Sequence, residues 1–288
     1  MTIKELVVIS GKGGTGKTSI VASLAALSGK SVLADCDVDA ADLHLVLSPD
    51  VQKEGDFIGG LVAVTDLNLC TGCGKCVEVC RFDAFLDNYE IDPLACEGCG
   101  ICERVCPSSA ISMIDRISGR WFISETRFGP MVHARLGLAE GNSGKLVSLL
   151  RNEAKRIAGE RGHDLIISDG SPGIGCPVIA SIAGATAVLV VTEPTVSGIH
   201  DLERVAALTE HFKIRTFVCI NKADLNPGNT RSIRELACGR NFEVIAEIPY
   251  DTAFTRAQMN KQSIIEAGNG KTADAIRSMW ETVKREIM

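Results

Sequence analysis

The chain has 288 residues, a formal net charge of −6, 45% hydrophobic and only 5% aromatic residues, which suits an α/β protein of one large domain or one domain with a small insert. The acidic balance argues against a nucleic-acid binder working through a basic face. No apolar run approaches the roughly 20 residues needed to cross a bilayer, and the first residues lack the charged start and long apolar stretch of a secretory signal, so a cytoplasmic protein with neither nucleic acid nor membrane as partner is expected. Twelve cysteines in a compartment where disulfides are rare need another explanation. Eight of them fall between Cys70 and Cys106, as one local device.

Taken in chain order, Leu6 to Ser10 reads as a strand, followed by a Gly/Lys loop and a helix from Thr18 to Leu27 with Gly29 as its stop. Ser31 to Asp35 is a second short apolar strand ending in acid. A compositional break runs from Gly59-Gly60 to about Gly119, where Cys, Gly and Asp dominate and helical periodicity is weak. Regular pattern then resumes with a helix from Ser143 to Gly159, started by an Asn142 or Ser143 cap. Strands follow at 164–168, 187–191, 216–220 and 244–248, separated by helical stretches. Continuous apolar strands alternating with helices predict a doubly wound parallel sheet covered on both faces. The cysteine block is therefore an insert: a first part of the main domain at 1–58, a small α+β insert at 59–118, and the second part at 119–288. From Lys271 to the end, Ile276, Met279, Trp280, Val283 and Ile287 share one helical side, which reads as packing on the sheet in preference to lying on a membrane surface.

Gly11-Lys12-Gly13-Gly14-Thr15-Gly16-Lys17-Thr18 satisfies GxxxxGK[ST] between the first strand and the first helix. Its glycines let backbone N–H groups curl around phosphate oxygens, and the helix N-terminus adds a favourable dipole. Gly11, Gly13, Gly14, Thr15, Gly16, Lys17, Thr18 and the adjoining Ser19 are the candidate phosphate contacts, with Lys17 on the outer phosphates and the Thr18 hydroxyl on Mg²⁺. The same stretch fits GxGxxG with Asp35 downstream, so a dinucleotide site competes; Lys17-Thr18 speaks against it, because such a loop needs neither cation nor hydroxyl there.

Cys70-x₂-Cys73-x₂-Cys76-x₃-Cys80 is repeated as Cys96-x₂-Cys99-x₂-Cys102-x₃-Cys106-Pro107, the bacterial ferredoxin spacing for two 4Fe–4S clusters. Three thiolates of each run grip one cluster and the fourth crosses to the other. One cluster is thus assigned Cys70, Cys73, Cys76 and Cys106, and the second Cys96, Cys99, Cys102 and Cys80. Zinc held by CxxC pairs is the plainer alternative, but zinc does not need this triple spacing twice. Arg81 stands where proline often follows the first run. Cys176, Cys219 and Cys238 read as packed thiols; Cys36 is undetermined.

Lys12, ahead of Lys17 in the form KGGxxKT, resembles the deviant Walker A motif of the MinD/ParA/Mrp superfamily, which includes the nitrogenase iron protein. The resemblance covers essentially the whole chain, through Thr192-Glu193-Pro194-Thr195-Val196-Ser197-Gly198. It implies an ATP-dependent homodimer, or a heterodimer with a paralogue, in which Lys12 reaches the nucleotide of the facing subunit. It also implies that Asp37 is the switch I aspartate positioning water and that Asp169 to Gly173 is the Walker B and switch II segment. Asn221-Lys222-Ala223-Asp224 looks like the NKxD base-reading element, with Pro249 and Tyr250 lining the same pocket. ATP is favoured on the deviant loop, although a guanine reader would show the same NKAD.

The function expected from the resemblance is a Mg²⁺-dependent ATPase that couples dimer closure to electron transfer toward, or maturation of, a metallocluster partner. An iron–sulfur carrier and a MinD/ParA-like positioning ATPase remain open beside it. Cys176 matches the offset of a bridging-cluster ligand in the nitrogenase iron protein, but no second cysteine occurs between Cys106 and Cys176 to complete such a site.

Overall fold

The structure is a computed structural model and describes residues 2–137, 140–141 and 144–288. In chain order it contains β1 (Lys4–Ser10), α1 (Lys17–Ser28), β2 (Val32–Asp35), α2 (Leu43–Leu47), β3 (Asp50–Thr65), α3 (Lys75–Val79), α4 (Ile101–Val105), β4 (Ile111–Thr126) and β5 (Gly129–Leu136). It continues with α5 (Gly144–Arg161), β6 (Leu165–Pro172), α6 (Cys176–Ile182), β7 (Ala187–Thr192), α7 (Val196–His211), β8 (Arg215–Asn221) and α8 (Pro227–Gly239). The last elements are β9 (Glu243–Ile248), α9 (Ala253–Met259), α10 (Ile264–Ala267) and α11 (Lys271–Ile287). The strands form one sheet in the order β3-β4-β5-β2-β6-β1-β7-β8-β9. Two compact units divide the chain: the first is Met1–Glu54, Trp121–Arg135 and Asn142–Met288, and the second Gly55–Arg120 with Leu136–Gly141. The expected cap of α5 at Asn142 or Ser143 lies outside the described residues.

In the first unit β5–β2, β2–β6, β6–β1, β1–β7, β7–β8 and β8–β9 all pair in parallel. The alternation of side chains explains the double winding. Leu6 and Val8 of β1 point into a core shared with Ile20 and Leu24 of α1 and with Ile276, Met279, Trp280 and Val283 of α11. Val7 and Ile9 point the other way, toward Val178 and Ile182 of α6, Leu202 and Val205 of α7, and Ile233 of α8. The apolar side of α11 is thus consumed by the sheet, as the sequence pattern predicts. Among the described residues no helix is long and apolar enough to cross a membrane.

Parallel register brings the carboxyl ends of β1, β2 and β6 to one edge, with Val8 and Asp35 both opposite Asp169. Loops leaving those ends share one crevice, the place where open α/β sheets bind ligands.

In the second unit the two cysteine runs fold alike. Helices α3 and α4 each begin at a left-handed glycine, Gly74 at φ 75° and Gly100 at φ 73°, and end at Cys80 and Cys106. Cys76 and Cys96 are buried with Ala63, Ala84 and Ile111. This unit holds eleven acidic and five basic residues, so the whole net charge of −6 belongs to it and the first unit is neutral. The acidity that speaks against a nucleic-acid partner is therefore a property of the second unit alone.

Three elements depart from the sequence reading. The 16-residue strands β3 and β4 and the strand β5 are absent from it; the first half of β3 is polar and exposed and offers no apolar alternation. Cys238 is exposed, not packed, because α8 buries Thr230, Ile233 and Ala237 and the next residue turns away from that face. Cys176 is also exposed, as the first residue of α6, while Cys219 is buried in β8 as predicted.

Candidate functional site

Between β1 and α1 the loop turns at Gly14, φ 79°, and at Gly16, φ 92°, left-handed conformations that glycine adopts at no steric cost. Two glycines are also fixed by close approach. A Cβ at Gly11 would run into the Cβ of Asp201, and one at Gly16 into the amide nitrogen of Asn221. The loop edges a cavity of about 370 Å³ lined by residues 13–19 together with Asp37, Asn221, Lys222, Tyr250 and Gln258, among others.

At the floor of this cavity Lys17 is buried between two carboxylates, Asp169 at 2.5 Å and Asp37 at 3.1 Å. The Thr18 hydroxyl donates to the second oxygen of Asp169 at 2.7 Å. Burial alone would lower the Lys17 pKa, but the charges of Asp169 and Asp37 outweigh it and hold the ammonium protonated. Asp35 is fully buried; desolvation, then repulsion from Asp169, raises its pKa well above the usual carboxylate range. Asp37 is raised as well, by desolvation that Lys17 only partly offsets. One oxygen each of Asp35 and Asp37 and the Thr15 hydroxyl are buried without a hydrogen-bond partner. A bound nucleotide phosphate with Mg²⁺ fits this arrangement. It gives the Thr15 hydroxyl and the Asp37 oxygen, which line the cavity, their partners, eases the crowding of carboxylates, and asks few protein ligands of a cation that keeps its waters. Asp35 is 0% exposed, which removes it from any ribose and ends the dinucleotide alternative.

The side of the cavity opposite the Lys17 cluster is braced from the end of β8. Asn221 donates its amide to the Thr15 carbonyl at 2.7 Å. Lys222, itself at φ 55°, donates to the Gly14 carbonyl at 3.2 Å. Asp224 accepts the Tyr250 backbone N–H at 2.6 Å and so fixes the segment containing Pro249 and Tyr250. Gln258 of α9 donates to the Ser19 hydroxyl at 2.8 Å. Gly173, at φ 93°, donates its N–H to the Ser10 carbonyl at 2.8 Å, tying the end of β6 to the start of the loop.

Lys12 points away from the cavity, to the turn after β7. Its ammonium reaches Glu193 at 2.7 Å, Ser197 at 2.9 Å and Thr195 at 3.3 Å. Glu193 also binds Lys222 at 2.8 Å. Burial would raise the Glu193 pKa, but the hydrogen bonds from Lys12 and Lys222 bring it below the usual value.

In the second unit Cys70, Cys73, Cys76 and Cys106 line one cavity, with Tyr89 and Ser108. Cys80, Cys96, Cys99 and Cys102 line another, with Phe82, Phe85 and Met113. The last cysteine of each run thus sits with the first three of the other. The Cys106 sulfur accepts the Ala110 N–H at 3.2 Å, the kind of contact that steadies a thiolate ligand. Among the described residues no three His, Cys, Asp or Glu side chains converge as the ligands of one ion would.

A family model described as the CobQ/CobB/MinD/ParA nucleotide binding domain matches residues 6–264. The chain belongs to this nucleotide-binding family. It is 35% identical, over 99% of its own length and 98% of the relative's, to the uncharacterized protein MJ0578 of Methanocaldococcus jannaschii. Its fold is similar to the septum site-determining protein MinD of Pyrococcus horikoshii in complex with Mg-ADP, with a TM-score of 0.61 at 18% identity and coverage of 99% and 97%. The cell division ATPase MinD of Pyrococcus furiosus is similar at a TM-score of 0.60 and 18% identity, with coverage of 98% and 99%.

Within this CobQ/CobB/MinD/ParA frame the sequence-predicted residues Gly13 to Ser19, Asp37, Asn221, Lys222 and Tyr250 line one cavity and Asp169 meets them from beneath through Lys17 and Thr18, whereas Gly11 and Lys12 do not line it. Sequence reasoning missed Glu193, Asp201 and Gln258. Glu193 lies in the segment Thr192 to Gly198 that carries the family resemblance, but its contact with Lys12 depends on β7 lying next to β1.

Proposed function

We propose that the chain is a Mg²⁺-dependent ATPase that pairs through Lys12 when ATP is bound and carries two 4Fe–4S clusters in its second unit. In this reading it couples the nucleotide cycle to electron transfer toward, or maturation of, a metallocluster partner. The observation that carries the iron–sulfur part is the exchange of Cys80 and Cys106 between the two cysteine-lined cavities, the ligand sharing expected of the two-cluster ferredoxin spacing. Family membership and the Lys17–Asp37–Asp169 cluster support the ATPase part. Lys17 and the loop N–H groups would hold the phosphates, Thr18 and Asp169 would hold Mg²⁺, and Asp37 would orient the attacking water. Mg²⁺ supplies neutralisation of charge developing on the transferred phosphoryl group.

The deciding experiment is anaerobic purification followed by iron analysis, EPR of the reduced state, and ATP hydrolysis with clusters oxidised and then reduced. About eight irons per chain and hydrolysis or nucleotide affinity that follows redox state support the reading. The likeness in fold to MinD favours a second reading, a positioning ATPase whose insert serves as an interaction module. Retained iron with hydrolysis indifferent to its redox state would favour that one. Loss of iron to an apo-acceptor during turnover would favour a carrier.

A further inference from the structure

Lys12 is the residue on which ATP-dependent pairing rests in the reading above, and it is already fully occupied. A lysine ammonium has three N–H donors, and all three find acceptors on one turn of the same chain: the Glu193 carboxylate, the Ser197 hydroxyl and the Thr195 hydroxyl. Thr195 and Ser197 stand at the start of α7, where Thr195 also caps the helix by accepting the Gly198 N–H at 3.0 Å. The acceptors are therefore held in place by the fold and not by Lys12.

Glu193 has a second cation. Lys222 binds its other oxygen at 2.8 Å and also reaches the Gly14 carbonyl. If Lys12 leaves, Glu193 keeps Lys222, and no carboxylate is stranded without a counter-charge, which is the usual cost of breaking a partly buried pair. The contact is thus strong enough to hold Lys12 and cheap enough to release it.

We propose that Glu193, with Ser197, is an intramolecular latch that holds Lys12 on its own chain and sets the threshold at which two copies pair around ATP. The proposal rests on the reading of Lys12 as the pairing residue. A facing copy must offer Lys12 contacts that replace all three bonds, as a triphosphate can and a diphosphate, with fewer oxygens and less charge, does less well. Lys222 regulates the latch from the other side. By sharing the carboxylate it weakens the hold on Lys12, and its contact with Gly14 ties that sharing to the shape of the phosphate loop.

The test measures self-association of the full, anaerobically prepared protein by sedimentation, in Mg²⁺ with a non-hydrolysable ATP analogue. Glu193→Gln should lower the protein concentration for half-maximal pairing by about tenfold, the equivalent of one charge-assisted hydrogen bond. Ser197→Ala should shift it in the same direction by a smaller factor, with analogue affinity of the single chain unchanged. Damage to the loop alone would weaken pairing, so tightening distinguishes a latch from a structural role. If Lys12→Ala pairs as well as the parent, the pairing role of Lys12 itself is wrong. If Lys12→Ala abolishes pairing while Glu193→Gln and Ser197→Ala leave it unchanged or weaken it, the latch alone is overturned. Ser197→Ala keeps the test open should Glu193→Gln fail to fold.

Discussion

Asn221 gives its amide proton to the carbonyl of Thr15 at 2.7 Å, although 206 residues separate them in the chain. The bond joins the end of β8 to the middle of the phosphate loop, and it lies where any side chain at Gly16 would have to go. Asn221 is buried, 4% exposed, so the bond is shielded from water. We predict that Asn221→Ala lets the loop relax. Losing a buried hydrogen bond and orphaning the carbonyl costs roughly 1–3 kcal/mol. ATP affinity measured by calorimetry should fall about tenfold or more, with the secondary structure intact by circular dichroism. Unchanged affinity would show that the loop holds its shape without the brace.

Asp35 gives a pH test of the acid cluster. Burial and the neighbouring Asp169 raise its folded-state pKa well above the ordinary value of 3.8. A carboxyl with a raised folded pKa favours folding while protonated, and that contribution is lost as pH rises from the ordinary value through the raised one. Asp35→Asn removes the charge and should raise the melting temperature of the nucleotide-free protein, by a margin that grows with pH above about 4. A margin that shrinks as pH rises would contradict the assignment.

His133 predicts the opposite limb. It is buried, stacked on Phe122 with ring centroids 5.1 Å apart, and bonded through Nε2 to the Ser124 hydroxyl at 2.9 Å. Desolvation, with His44 nearby, lowers its pKa from 6.5 to about 4. The unfolded chain therefore takes up a proton that the folded one refuses, and stability should fall as pH drops from 6.5 toward 4. His133→Gln should flatten that limb in chemical denaturation at several pH values; an unaltered slope there would assign it to other groups.

Exchange of the fourth cysteines is testable without knowing the partner. On the proposed cluster assignment, Cys106→Ala removes a ligand from the cluster of Cys70, Cys73 and Cys76. The reduced-state EPR spectrum left in Cys106→Ala should match that left in Cys70→Ala and differ from that left in Cys96→Ala. A Cys106→Ala spectrum resembling that of Cys96→Ala would mean that each run serves its own cluster.

The parts of this site that were legible in the sequence are those whose spacing is local. The first three cysteines of each run and GxxxxGKT lie within one turn or loop, so residue spacing alone brings them together. The contacts that finish the site are long-range. Lys12 meets Glu193, and Asn221 meets Thr15, only because β1 lies between β6 and β7 with β8 next in order. Nothing in the residues near Glu193 states that order. Strands β3 and β4 went unread for a different reason. Their exposed polar stretches, such as residues 50–56, carry no apolar alternation, and what keeps them extended is their place beside each other and beside β5 in the sheet. Exposure of Cys176 and Cys238 was likewise set by which side of a helix faces the sheet, which a single cysteine cannot report.

The segregation of charge has a consequence for how the molecule meets others in solution. Because the nucleotide-binding unit is neutral and the insert carries the full −6, added salt addresses the two units differently. Two neutral nucleotide units can approach without mutual repulsion, whereas any partner drawn to the insert feels a field that is screened within about 10 Å at 0.1 M salt. Ionic strength thus acts as a dial on docking at the insert, whereas at the nucleotide units it acts only through local pairs such as Lys12–Glu193.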